Sequence, residues 1–261
     1  MRLTAGCQLN FEAQAPAPLI LMLRPQSGAS QRILADQWQI EPELPTIEYV
    51  DLYGNACDRL LIPPGKFQIT SKVTADTADT IDVNSNAAFM PVQFLPDTVL
   101  HFLLPSRYCQ SDLLGELARE IVADIASGYD QVEAIRRWIH EHIDYQYDTS
   151  DASTSAIDTA QTRQGVCRDF VHLGMALCRS LTIPARMVVG YLYQLDPMDL
   201  HAWFEAFVGD RWYTFDATQS EPRGNRISIA YGRDAADVAL ANQFGLLTLT
   251  DLQAWVRQGN P

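Results

Sequence analysis

The chain has 261 residues, 47% hydrophobic, 20% charged and 10% aromatic, with 14 Gly and 14 Pro that follow no period. These figures exclude a disordered, collagen-like or low-complexity chain and leave enough apolar residues for a sizeable core. A formal net charge of −13, from 19 basic and 32 acidic residues, argues against nucleic-acid or anionic-membrane partners, which need a positive face. The five Cys (7, 57, 109, 167 and 178) are odd in number and none has CxxC spacing. They are expected as free thiols in a reducing compartment, which places the protein in the cytoplasm. Thr4-Ala5-Gly6-Cys7 has the outline of a lipoprotein cleavage site, but no apolar stretch precedes it. Apolar runs such as Leu19–Leu23 fall far short of the ~20 residues of a membrane span.

The first part of the chain reads as strands. Alternating or β-branched segments recur at Leu3–Phe11, Pro18–Leu23, Ser30–Ile40, Ile47–Tyr53, Arg59–Ile62 and Phe67–Ala75. Turn residues separate them: Gln26-Ser27-Gly28, Tyr53-Gly54-Asn55 and Pro63-Pro64-Gly65. This spacing predicts a β-sandwich over residues 1–105. Pro91, Pro96 and Pro105 then interrupt regular structure. Ser111-Asp112 can cap a helix carrying Leu113, Leu114, Leu117, Ile121 and Ile125, ended by Gly128. A second helix carries Val132, Ile135, Ile139 and Ile143 on one face. Residues 149–162 are rich in Ser, Thr, Ala and Asp and read as an exposed loop.

Cys167–Leu181 predicts a helix with Phe170, Leu173, Leu177 and Leu181 facing the core, stopped by Pro184. Met187–Tyr193 is β-rich, and His201–Val208 and Arg211–Phe215 form a hairpin around Gly209-Asp210. Helices followed by consecutive strands make an α+β pattern over residues 106–261.

Three segments carry chemistry on this framework. Cys167, in Gly165-Val166-Cys167-Arg168-Asp169-Phe170, opens an apolar helix whose N-terminus favours a thiolate and offers unpaired N–H groups. His201 starts one strand of the hairpin and Asp216 follows the other, within mutual reach. Asp216 can then fix the tautomer of His201, and His201 can take the Cys167 proton. Each residue alone has an ordinary structural reading, but the three together are hard to explain structurally. Cys178, in an apolar setting on the same helix, reads as a packed thiol.

Cys167 within GVCRDF, Gly190-Tyr191 after Pro184-Ala185-Arg186, His201 within HAWFEAF and Asp216 within WYTFDAT resemble the transglutaminase-like superfamily. The resemblance covers about residues 110–220. It implies a papain-like core with a Cys-His-Asp triad, accompanied in bacterial members by an amino-terminal β domain. Residues 226–256 also resemble the tail of those members. Ala217 departs from the Pro that more often follows the Asp. Gln161, six residues before Cys167 as in papain-like proteases, and Gln164 are candidate oxyanion donors beside the Cys167 amide.

No cofactor or metal is implied. His140 and His142 point about 200° apart on a helix and make a poor metal pair, and no calcium-loop pattern is present. The expected function is acyl transfer on a peptide or protein substrate through a thioester at Cys167. Release by water, the expected course with no calcium site or secretion signal evident, makes a protease or amidase; release by an amine, the alternative, makes a transglutaminase. A non-catalytic interaction module on the same fold is the alternative of another class. Substrate identity and oligomeric state are not legible from the sequence.

Overall fold

A computed structural model describes residues 1–259. All six expected strands of the first part form: β1 (Arg2–Ala13), β2 (Ala17–Arg24), β3 (Gln31–Glu41), β4 (Thr46–Val50), β5 (Ala56–Ile62) and β6 (Gly65–Thr77). Strict alternation decides which face of β1 is buried: Leu3, Ala5, Cys7, Leu9, Phe11 and Ala13 all point inward. They meet Leu19, Leu21 and Leu23 of β2 and Ile69, Val73 and Ala75 of β6 in the core.

The helical part is α1 (Gly115–Ile121), α2 (Tyr129–His142), the short β7 (Asp144–Tyr145), α3 (Ala156–Thr162), β8 (Gln164–Gly165) and α4 (Cys167–Ser180). The first helix is shorter than its apolar spacing predicts. It frays after Ile121 because residues 122–128 turn back so that Gly128 bridges Ala88, at φ 118° and with no room for a Cβ against the Ala87 carbonyl. Inside the expected loop, α3 forms because Ser155 and Asp158 cap it: the Ser155 N–H and hydroxyl donate to Asp158 Oδ2 at 2.9 and 2.6 Å.

An antiparallel sheet follows, in the order β11-β10-β9-β12, from β9 (Ala185–Leu192), β10 (His201–Val208), β11 (Arg211–Phe215) and β12 (Arg226–Gly232). Helix α4 packs on this sheet, with Gly174 directly against the Phe204 ring. The chain then returns to the sandwich. Strand β13 (Ala241–Gln243) joins β2, and β14 (Leu247–Gln258) pairs with almost the whole of β1. The two sandwich sheets therefore run β14-β1-β6-β3 and β13-β2-β5-β4. So the segment 106–261, expected as the catalytic part, supplies a strand to each sandwich sheet. Without β14, β1 would be an open edge.

One continuous core joins both parts. Two sandwich side chains also take the place of a neighbouring strand along the free edge of β12. Gln31 Nε2 donates to the Ser228 carbonyl at 2.9 Å, and its Oε1 accepts the Ser228 N–H at 2.7 Å. Asn55 does the same for Tyr231, at 2.7 and 2.8 Å. Buried backbone groups at a sheet edge need such partners.

Candidate active site

Cys167 is the first residue of α4, and the Asp169 carboxylate fixes that turn by accepting the Val166 N–H at 2.9 Å. Arg168 holds Asp169 from the other side at 3.1 Å and reaches the Asp151 carbonyl at 2.7 Å, tying the preceding loop to the helix start. Gly165 is needed here, because a Cβ would collide with the Asp169 side chain. Cys167 is half-buried, whereas the other four thiols are buried. Burial pushes Cys7 up to about 11 and Cys109 up to about 12, and raises Cys57 and Cys178 as well. Those four are held as neutral thiols.

His201 opens β10, opposite Gly190 of β9. A Cβ at Gly190 would run into the Ile227 carbonyl and the Trp203 ring, so glycine lets these strands and the indole close up beside the histidine. Asp216 follows β11 directly. Its Oδ2 lies 2.8 Å from His201 Nε2, with both side chains almost fully buried. That leaves Nδ1 as the ring nitrogen available to Cys167, whose side chain also interacts with the imidazole. Burial opposes the charged imidazole. The charge and hydrogen bond of Asp216, helped by Cys167, more than offset it and raise His201 to about 9. Burial likewise opposes the Asp216 carboxylate, but His201 and Arg226 hold it far below the usual carboxylate range.

Each Asp216 oxygen has its own partners. Oδ1 accepts the Thr218 N–H at 3.0 Å and the Thr218 hydroxyl at 2.7 Å, while Oδ2 is shared between His201 and the guanidinium of Arg226, 2.9 Å away. Arg226 is itself buried, lies 4.9 Å over the Trp203 ring and donates to the Arg223 carbonyl at 2.9 Å. Thr218 and Arg226 escaped sequence reasoning. Thr218 could have been found as an Asx-turn partner two residues after an Asp, but Arg226 comes from β12, on the far side of β9 from the hairpin, and leaves no local signal.

The structure thus brings Cys167, His201 and Asp216 together. Gln161 is exposed on the last turn of α3 and Gln164 lies on β8; neither side chain makes a hydrogen bond among the described residues. His140 and His142 each bond a backbone carbonyl, of Ala217 and Trp138, at 3.0 and 2.8 Å. His172 is buried and stacked on Tyr108 at 4.9 Å, and burial pushes it well below its usual range, so it stays neutral. No helix among the described residues is long and apolar enough to cross a membrane.

A helix whose first residue is a cysteine, packed on an antiparallel sheet that presents a His–Asp pair, defines a transglutaminase-like fold. The sequence profile of the transglutaminase-like superfamily matches residues 115–217. A crystal structure of a putative cysteine protease from Cytophaga hutchinsonii is 36% identical, with a TM-score of 0.93 over 100% of this chain and 91% of that one. An uncharacterized Mycobacterium leprae protein, ML0607, is 27% identical over 253 residues, spanning 92% of this chain and 90% of its own length. Rv2569c of Mycobacterium tuberculosis is 26% identical over 159 residues, covering 55% of this chain and 46% of its own. The chain belongs to the transglutaminase-like superfamily.

Proposed function

We propose that the protein is a cysteine-dependent acyl-transfer enzyme, and that it hydrolyses peptide or carboxamide bonds with Cys167 as nucleophile, His201 as acid and base, and Asp216 as the group that orients and charges the histidine. The observation that carries this reading is the buried 2.8 Å contact of His201 Nε2 with Asp216, which turns Nδ1 towards the only thiol not sealed in the core. A histidine raised to about 9 is protonated at neutral pH and can hold a thiolate beside it. The α4 dipole acts in the same direction.

In this mechanism Cys167 Sγ attacks the carbonyl carbon, the new C–S bond forms and the carbonyl π pair moves onto oxygen. The tetrahedral species collapses as the C–N bond breaks, and His201 Nδ1–H gives its proton to the leaving amine. Water then attacks the thioester, His201 takes its proton, and the carboxylic acid leaves as the thiolate and imidazolium are restored. Likeness to the Cytophaga hutchinsonii protein supports hydrolysis over transfer to an amine. Five free thiols support a reducing, cytoplasmic setting.

Cys167→Ala is expected to abolish release from a fluorogenic or glutamine-containing peptide library, and full activity in that variant would overturn the assignment. Chasing the thioester with water against added amine decides between hydrolysis and transamidation. A thiol-reactive probe at mildly acidic pH separates an activated Cys167 from a binding scaffold, in which all thiols would label slowly and alike.

A further inference from the structure

Asp216 Oδ2 is shared by two cations. His201 Nε2 lies 2.8 Å away and the Arg226 guanidinium 2.9 Å away, and all three side chains are buried. Asp216 is the one ion-pair partner of Arg226 among the described residues. The other contacts of Arg226 are the Arg223 carbonyl at 2.9 Å and the Trp203 ring at 4.9 Å, and its Nη1 has no hydrogen-bond partner. Its charge therefore bears on Asp216, where little water can screen it. Further groups surround the pair. Cys167 comes from α4, and the Thr218 hydroxyl lies 3.5 Å from His201 Nε2. Arg136 of α2 acts on Asp216 through its charge, His140 of α2 bonds the Ala217 carbonyl, and Arg223 acts on Arg226.

In the free enzyme the thiolate, imidazolium, carboxylate and guanidinium alternate in sign and cancel. Acylation spends the thiolate, and the imidazolium gives its proton to the leaving amine. The carboxylate and guanidinium that remain still cancel, so a neutral imidazole leaves no net charge in the interior. Without the guanidinium, a lone carboxylate would draw a proton back onto His201. We infer that Arg226 is a positioning residue for hydrolysis: by sharing Asp216 Oδ2 with His201, it keeps the imidazole of the thioester intermediate free to act as the base that activates water. This rests on the acyl-transfer reading above. In that step the water oxygen attacks the thioester carbonyl carbon and its proton passes to His201 Nδ1. The C–S bond breaks and its electron pair returns to Cys167 Sγ, which restores the row of four alternating charges.

The breakdown of an acetyl-enzyme tests this. The protein is acetylated with 4-nitrophenyl acetate and freed of reagent, and loss of the acetyl group from Cys167 is followed by mass spectrometry over roughly pH 5.5–9.5. In wild type the rate should rise to a plateau with a midpoint within about one pH unit of an ordinary histidine, about 6.5. A midpoint near the value of about 9 held in the free enzyme would overturn the inference, and this measurement decides even if a variant fails to fold. Arg226→Met, which removes the charge, is expected to raise the midpoint by about one pH unit or more and to slow acetyl loss on the order of tenfold below both midpoints, while iodoacetamide alkylation of Cys167 stays within about twofold. Arg226→Lys keeps a cation and should hold the midpoint near that of wild type. An unmoved midpoint in Arg226→Met, or an equal shift in Arg226→Lys, would overturn the inference. So would matching losses of alkylation and acetyl release, which a purely structural role would give. A wild-type protein that never carries an acetyl group on Cys167 would refute the acyl-transfer reading itself, an outcome distinct from all of these.

Discussion

Replacing His201 with Gln removes the titrating member of the buried His201–Asp216 pair while keeping a polar side chain that can face Asp216. A histidine held at about 9 in the folded protein, against about 6.5 unfolded, adds stability that is complete below pH 6.5. That stability is lost as pH rises towards 9. At roughly 1.4 kcal/mol for each tenfold difference in proton affinity, the loss between about pH 5.5 and pH 8 amounts to about 2 kcal/mol. For a chain of this length that is a fall in Tm of roughly 4–8 °C. His172 and His101, both pushed down by burial, contribute with the opposite sign, since a depressed histidine adds stability above its unfolded value. They are unchanged in the variant, and staying below pH 8 limits ionisation of the exposed thiols of the unfolded chain. Cys167, ionised beside His201 in the mechanism above, would contribute with the opposite sign, so the comparison is made with Cys167→Ala in both proteins. The difference in Tm between Cys167→Ala and Cys167→Ala/His201→Gln, followed by calorimetry from pH 5.5 to 8, then isolates His201, and the protein that keeps His201 should lose its advantage as pH rises. Parallel curves for the two proteins would refute the proposed charge state of the pair.

Other consequences follow from the same contacts. Arg226→Met leaves the buried Asp216 carboxylate with one cation fewer, and urea unfolding should show a loss of about 3 kcal/mol; a neutral result would mean that Arg226 contributes packing alone. Thr218→Val removes the 2.7 Å hydroxyl bond to Asp216 at nearly constant volume and is expected to lower kcat/KM roughly tenfold, consistent with about 1.5 kcal/mol for a hydrogen bond to a charged group. Gly190→Ala drives a methyl into the Ile227 carbonyl and Trp203, and the chemical denaturation midpoint should report a loss of about 1–3 kcal/mol. Gln31→Ala strips both partners from Ser228 of β12 and should cost roughly 2–4 kcal/mol, since two buried backbone groups are left unpaired. A denaturation midpoint equal to that of wild type would show that water replaces them.

Local patterning made much of this protein legible. The period-2 burial of β1 and β6, the helical face of α4 and the Gly209 turn are all written in neighbouring residues, so these elements form where the spacing predicts them. The hairpin also carries His201 and Asp216 close together in the chain, and this is why two members of the site could be paired from sequence. What escaped depends on distant partners. Strand β14 is defined by β1 across some 250 positions of chain, α1 is cut short by Gly128 docking on Ala87 and Ala88, and α3 rests on a capping box inside a polar stretch. Within the site, Arg226 reaches Asp216 from β12, which lies across β9 from the hairpin.

The central claim is that Cys167 carries the acyl group. It is tested most directly by incubating the protein with 4-nitrophenyl acetate, quenching in acid and mapping the adduct by peptide mass spectrometry. The account predicts one acetyl group, on the peptide containing Cys167, that disappears on chase with buffer and never forms in Cys167→Ala. Acetylation spread over several residues, or a Cys167 peptide that stays unmodified while 4-nitrophenolate is released, would contradict it.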